Sequence, residues 1–548
     1  MRNDCSSNLG ERIGRGEDFR EVLRRLATPL VLLVALLPSV SYAQDSATLP
    51  PLDPAYEDLE LLDRHGLVPR GLTSLRPLSQ GRVAWLVREA RTGFEGAALE
   101  GLRRADIEAV LSRLERRFGD VDTRPVAGLA EIELGGGRSP GRGVPSNGLG
   151  ELDLVVNPLW ANRGGRAYGD QRSGAVAVRA ATSLGKGVAV GVAGRGVALQ
   201  ASGVTPARRD GTIEAAYLRA TVGRIALEVG RDAWWQQPGG EDALLLSRDA
   251  PPVDLLRIVT DRPLSAYLLG DVEFALTVAD LGPNQNFPGA KLFVMNVTAR
   301  PTASLRMGLT LVNKQAGEGA PDASTSDRLK DLSFFWDLFR VGRDYTFSEK
   351  LLGFDARFVL PGASGTALFG EIAFTDLGTD RIRDVLTSDT GYRLGVVLPR
   401  LGPSQRHSLE LEGALTTALL YRHLQFTTGF AVDGFSQGSE LGPDGRRLTA
   451  RYRYDAAAAG WAVVGAAAVE TRSVDPHEPA FNPVKDVFRA GSLPWEGRKR
   501  VRLNVTKWLD EFSGVDVGLG VERVKNFAFE GGANRNNVAV LVRVWRTF

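Results

Sequence analysis

The sequence predicts a mainly β protein: an 18-stranded antiparallel transmembrane β-barrel with a small N-terminal periplasmic α-helical domain. Three observations predict it. Apolar residues alternate with charged residues or glycine from Leu149 to Phe548. The gaps between alternating segments are long and short in turn, and a short apolar run near the N-terminus has the form of a secretory signal. Composition narrows the class further. With 43% hydrophobic residues the chain is too apolar for disorder, and 67 basic against 65 acidic residues lack the basic excess of a nucleic-acid binder. A single cysteine, Cys5, excludes a disulfide scaffold, and four histidines leave little for metal chemistry.

The first 43 residues read as a signal peptide. Arg20, Arg24 and Arg25 precede the apolar run Leu26 to Val40, and Ser41-Tyr42-Ala43 follows it with small residues where a signal peptidase reads. A run of fifteen residues is short for a membrane-spanning helix. The leading segment is long, so translation from near Val22 is an alternative start. Cys5 lies before the run and leaves with it.

Residues 44–121 read as a periplasmic helical head. Tyr56, Leu59 and Leu62 recur at helical spacing before Gly66. Ser79 can cap a helix carrying Val83, Leu86, Val87 and Ala90, and Leu99 to Phe118 mark one face of a third helix. About 70 residues bury little surface alone, so the head is expected to lean on something larger. Residues 61–90 also resemble a surface-layer homology repeat, against the plainer reading of a helical hairpin. Glycine, proline and arginine make 122–148 a linker.

The barrel is expected over 149–548. Leu305, Met307, Leu309 and Leu311 share one face against Arg306, Gly308 and Thr310. Val515, Val517, Leu519 and Val521 likewise oppose Asp516 and Glu522, as lipid-facing aliphatics around a wet lumen would. Strands are read at 149–156, 172–183, 187–199, 211–221, 224–232, 253–260, 271–280, 290–300 and 303–313. The second half gives 350–360, 366–375, 390–398, 407–418, 447–457, 461–472, 498–508, 514–524 and 537–548. The segment 126–134 also alternates, but a nineteenth strand breaks the parity that leaves both barrel ends in the periplasm. It is therefore assigned outside the wall. Trp461, Trp508 and Trp545 fall at periplasmic strand ends, where an aromatic girdle belongs. The aromatic Phe548 resembles the signal read by the outer-membrane insertion machinery.

Gly434-Phe435-Ser436-Gln437-Gly438 matches a hydrolase nucleophile elbow, but the elbow needs a strand-to-helix turn with an acid and a histidine in order. The next histidine, His477, lies two residues from Asp475, and the match falls between expected strands, so no catalytic residue is assigned. His407 and His423 are too isolated for zinc, and no cofactor is implied. The long loops carry the stronger signal, with tryptophan and tyrosine interleaved with arginine. Aromatic faces stack on sugar rings and guanidinium forks bind carboxylates, which suits an acidic polysaccharide. The candidate contacts are Arg231, Trp234, Trp235, Arg248, Trp336, Arg340, Arg343, Tyr345, Tyr421, Phe435 and Trp495. Mutual packing of the loops would use the same residue types.

Four segments then resemble the capsule assembly protein Wzi family, in the family's order. They are 52–69 with 76–79, LEVGRDAWWQQPGGEDALLLSRDAPP at 227–252, 298–321 and TTGFAVDGFSQGSELGPDG at 427–445. The resemblance implies an 18-stranded outer-membrane barrel with a periplasmic helical element and a lectin-like role in holding capsular polysaccharide. It departs locally, reading Trp235-Gln236-Gln237-Pro238-Gly239 where the family has WGPG. The expected partners are extracellular or capsular polysaccharide, outer-membrane lipid, the insertion machinery through Phe548, and peptidoglycan or an export complex through residues 50–120. Nucleic acid is not expected. An aqueous pore for saccharides is the alternative function, and a barrel-embedded hydrolase the third.

Overall fold

The computed structural model describes residues 47–68, 73–96, 101–119, 127–138, 157–161, 163–166, 172–185, 187–200, 208–332, 347–375, 386–387, 389–423, 425–473 and 494–548. The expected signal segment and the expected strand 149–156 lie outside them.

Eighteen long strands close into one antiparallel barrel among the described residues. The first nine are β1 (Ala127–Arg138), β2 (Ser173–Gly185), β3 (Val188–Leu199), β4 (Arg208–Val222), β5 (Ile225–Asp232), β6 (Val253–Thr260), β7 (Gly270–Asp280), β8 (Lys291–Thr302) and β9 (Leu305–Gln315). The others are β10 (Ser348–Val359), β11 (Ala367–Thr375), β12 (Thr390–Leu401), β13 (His407–Thr416), β14 (Gly445–Ala456), β15 (Trp461–Arg472), β16 (Glu496–Trp508), β17 (Ser513–Lys525) and β18 (Arg535–Thr547). Each pairs with its neighbours in sequence, and β1 pairs with both β2 and β18 to close the ring. Alternation sets the facing as expected: Met307 and Leu519 are exposed on the outside while Arg306 and Glu522 are buried inside. Closure leaves no sheet edge, the condition for crossing a bilayer with strands.

The seam corrects the sequence reading. The wall begins at 127, not 149, with the segment that parity had set aside, and part of the expected linker is strand. Two alternating segments competed for one place. Ile132 and Leu134 of β1 face outward, while Glu131 meets Arg543 at 2.6 Å and Glu133 meets Arg195 at 3.2 Å across the lumen face. With this strand the wall counts eighteen among the described residues.

Three helices occupy the barrel mouth on the short-turn side: α1 (Ala55–Arg64), α2 (Gln80–Glu95) and α3 (Gly101–Phe118). The Ser79 hydroxyl accepts the Arg82 amide at 3.0 Å, capping α2 as its position before the apolar run implied. Gly66, at φ 71°, takes the left-handed conformation that ends α1. Leu59, Leu62, Val83, Leu86, Ile107 and Leu111 share a buried core, which Ala233, Trp235 and Ala457 of the barrel chain complete. The head thus leans on the barrel, as its size requires. Polar contacts fix it there: Arg357–Asp63 at 2.7 Å, Arg82–Glu273 at 2.7 Å, Arg406–Asp106 at 2.6 Å and Ser79–Asp261 at 2.6 Å.

Two of the three girdle tryptophans belong to this interface instead. Trp461 is exposed on the outer face, under the Lys507 ammonium at 4.6 Å. Trp508 and Trp545 point inward and meet edge to face at 4.6 Å, with the Arg113 guanidinium of α3 over Trp508 at 4.4 Å. Their registers decide this, since both lie on lumen-facing positions of their strands.

His65, the residue after α1, carries a built-in pH response. Burial, with the guanidinium groups of Arg103 and Arg400 nearby, holds its imidazole down to about 3. An unfolded histidine titrates near ~6.5. The neutral ring therefore stabilises the head above that value, and the stability is lost as pH falls from about 6.5 towards the folded value. Hydrogen-exchange protection in α1, taken relative to the intrinsic amide rate at each pH, is expected to fall between pH 7 and 4, less so in His65→Gln. An equal fall in both proteins would remove His65 as the cause.

Candidate functional site

The lumen is filled from both ends by the chain itself. Residues 233–252, joining β5 to β6 on the long-loop side, fold into the barrel instead of standing above it. Trp235–Gln236 forms a two-stranded ladder with Leu75–Arg76 of the head, and the Gln237 amide donates to Ser74 O at 2.8 Å. The family departure is used structurally. The Gln236 side chain donates to Thr310 at 2.8 Å, and the Gln237 side chain donates to Glu60 at 2.8 Å. Further along, the Gly239 and Pro238 carbonyls accept from Arg393 and Arg306 of the wall. Gly240, at φ 64°, runs so close to Arg393 and Glu412 that a side chain would collide with both. Asp242 then pairs with Arg447 at 2.5 Å.

The β13–β14 connection meets this loop from the other side. The Tyr421 hydroxyl donates to Leu244 O at 2.7 Å, and the hairpin Ala431–Val432 with Phe435–Ser436 is buried. Leu244, Leu245, Leu246, Leu420, Tyr421 and Phe430 form an apolar cluster inside the extracellular half, with Trp234 packed against it. The nucleophile-elbow match is thus a β-hairpin, and Ser436 is buried.

Charges on the wall satisfy one another. Arg393 bridges Glu371 at 2.6 Å and Glu412 at 2.8 Å; Arg500 meets Glu470 at 2.6 Å; Arg498 bridges Glu496 at 2.7 Å and Glu522 at 3.1 Å. Arg219 and Arg257 share Glu228, each at 2.9 Å. The polar face expected to border open water is instead a lattice of paired groups. An interior cavity between Pro50–Leu52 and the β1–β4 wall holds about 30 Å³, room for roughly one water.

This placement changes the candidate contacts. Trp235, Tyr421 and Phe435 are buried and serve the plug, not a surface. The Trp235 ring packs edge to face on Tyr56 at 5.6 Å. Trp234 is partly buried among the loop leucines. Adjacent residues on extended backbone face opposite ways, so the pair enters two different cores. Arg231 points to the outer surface of β5 and pairs with Asp254 at 2.8 Å. Arg248 turns inward to Pro51 O at 3.2 Å. Trp336, Arg340, Arg343 and Tyr345 lie outside the described residues.

Trp495 is the aromatic candidate that stands exposed among the described residues, with the Arg446 guanidinium over its ring at 4.9 Å. Its neighbours were missed in the sequence. The Asn526 side chain donates to Trp495 O at 2.9 Å, and Phe527 lies under Arg535 at 5.7 Å. Two aromatic–arginine pairs therefore sit together at the extracellular rim of β14–β18. The signal was present as Asn526-Phe527-Ala528-Phe529 followed by Arg535, but the connection is short and drew no attention beside the long loops.

A closed barrel with an aliphatic exterior, short turns on one side, longer loops on the other and a self-filled lumen defines an integral outer-membrane protein of the plugged-barrel kind. The chain belongs to the capsule assembly protein Wzi family, whose model matches residues 155–539. Among solved structures it is similar to Wzi of Escherichia coli, an outer-membrane protein involved in group 1 capsule assembly and described as a carbohydrate-binding β-barrel. The two are 16% identical, with 92% of this chain and 99% of that chain covered at a TM-score of 0.63, a likeness of fold. OprD of Pseudomonas aeruginosa is matched at 11% identity over 77% of this chain and 95% of that one, with a TM-score of 0.41. No curated protein matches the chain.

Proposed function

We propose that this protein binds capsular or other extracellular polysaccharide at the cell surface and helps assemble or retain it there, without catalysing a reaction. The observation that carries the reading is family membership across most of the barrel. The rim patch of Trp495, Arg446, Phe527 and Arg535 supplies the chemistry, apolar faces for sugar rings beside fixed cations for uronate or phosphate groups. A saccharide pore is the weaker reading, since the head and inward loops occupy the lumen. On this reading residues 1–43 are the secretory signal, the head faces envelope partners such as peptidoglycan or an export complex, and Phe548 engages the insertion machinery.

The test compares cell-bound with released polysaccharide in a deletion strain. Loss of the protein is expected to move polymer from the cells to the medium at constant total. A Trp495→Ala/Phe527→Ala variant should restore barrel insertion but only part of the retention. Polymer trapped inside the cell, together with steady single-channel conductance from purified protein, would support export and sink the retention reading.

A further inference from the structure

On other walls of the extracellular rim, several outward-facing basic residues have a carboxylate beside them: Arg231 with Asp254 at 2.8 Å, Lys291 with Asp280 at 2.7 Å, and Lys350 with Asp331 at 2.5 Å. On β16 and β17, Lys499 and Arg523 stand directly opposite each other in the antiparallel register, both facing out. Lys525 lies two residues further along β17 on the same face. These three have no carboxylate partner among the described residues. Like charges directly opposed across a ladder repel, so the arrangement favours an anion between them.

Immediately towards the membrane interior, the same face becomes apolar. Val501 opposes Val521, and Leu448, Val469 and Val538 continue the band, each roughly half exposed or more. Ala450 and Ala467 sit low between these side chains and leave a shallow outward groove of about 630 Å³ that runs up to Lys499 and Arg523. Cationic head and apolar groove are therefore one continuous surface at the level where the outer leaflet's headgroups meet its chains.

We propose that this face binds a phosphate-bearing glycolipid of the outer leaflet. Its phosphate lies among Lys499, Arg523 and Lys525, and an acyl chain lies in the groove over Ala450 and Ala467. Three clustered cations exceed what one carboxylate neutralises, whereas a phosphate monoester carries close to two charges at neutral pH and offers three acceptor oxygens. Arginine and lysine together give it one forked and two point donors. The apolar groove selects an amphiphile over a free anion.

Full-length protein, purified in detergent and delipidated, would be titrated with bisphosphorylated lipid A and with its dephosphorylated counterpart, and adducts counted by native mass spectrometry. The wild type is expected to take up the phosphorylated lipid at least tenfold more tightly than the dephosphorylated one, and excess inorganic phosphate should displace it poorly. Lys499→Gln/Arg523→Gln/Lys525→Gln should lose that tenfold preference, while Asp280→Asn/Lys291→Gln, on the opposite wall, should keep it. Heat-modifiable gel mobility reports folding; should the triple variant not fold, Arg523→Gln alone is expected to weaken uptake about threefold. Equal uptake of both lipids by the wild type, ready displacement by inorganic phosphate, or undiminished preference in the folded variants would overturn the proposal.

Discussion

Trp235→Ala is expected to be the most damaging single substitution in the loop between β5 and β6. The ring fills the head's own core and packs against Tyr56. Removing a buried tryptophan side chain costs about 3–5 kcal/mol through lost contact and the cavity left behind. Here the cost falls on the joint between head and lumen. Hydrogen exchange should accelerate in α1 and α2 while the strands stay protected. Trp234→Ala, removing a partly buried ring from the other cluster, should leave the helices unchanged. If the two variants behave alike, the division of the tryptophan pair between two cores is wrong.

Arg393→Leu is expected to destabilise the barrel by a comparable amount. Its guanidinium is buried between Glu371 and Glu412, stacks on Phe369 at 4.9 Å and holds the Gly239 carbonyl of the inward loop. Deleting one member of a buried ionic group leaves its partners uncompensated, at about 3–5 kcal/mol. Adding Glu371→Gln and Glu412→Gln should recover part of that loss, because the stranded charges are then absent. Thermal unfolding of the four combinations measures this; a triple variant no more stable than Arg393→Leu would show that the loss comes from packing alone.

The wall and the head were legible for local reasons. The alternation in β9 and β17 and the Ser79 cap are written in consecutive residues, and the structure keeps them. The first strand was not, because 126–134 and 149–156 both alternate. The choice between them rests on Arg195 and Arg543, far along the chain, which meet Glu133 and Glu131. The site was the least legible part. An aromatic–arginine loop reads the same whether it faces solvent or folds inward, and only the pairing of Trp235–Gln236 with Leu75–Arg76 decides. Among the described residues the long loops thus gave up most of their candidates to the plug, while the short connection after β17 supplied Phe527 to the rim.

The lattice of paired charges along the lumen also bears on how such a wall diverges. Losing one partner strands the other, but losing both, or exchanging them for an apolar couple of similar volume, is close to neutral. Substitutions there are expected to accumulate as compensated couples, each crossing a brief unfavourable intermediate. A wall built this way can exchange much of its chemistry while its register stands still, which accords with a shared fold at 16% identity over 92% of the chain.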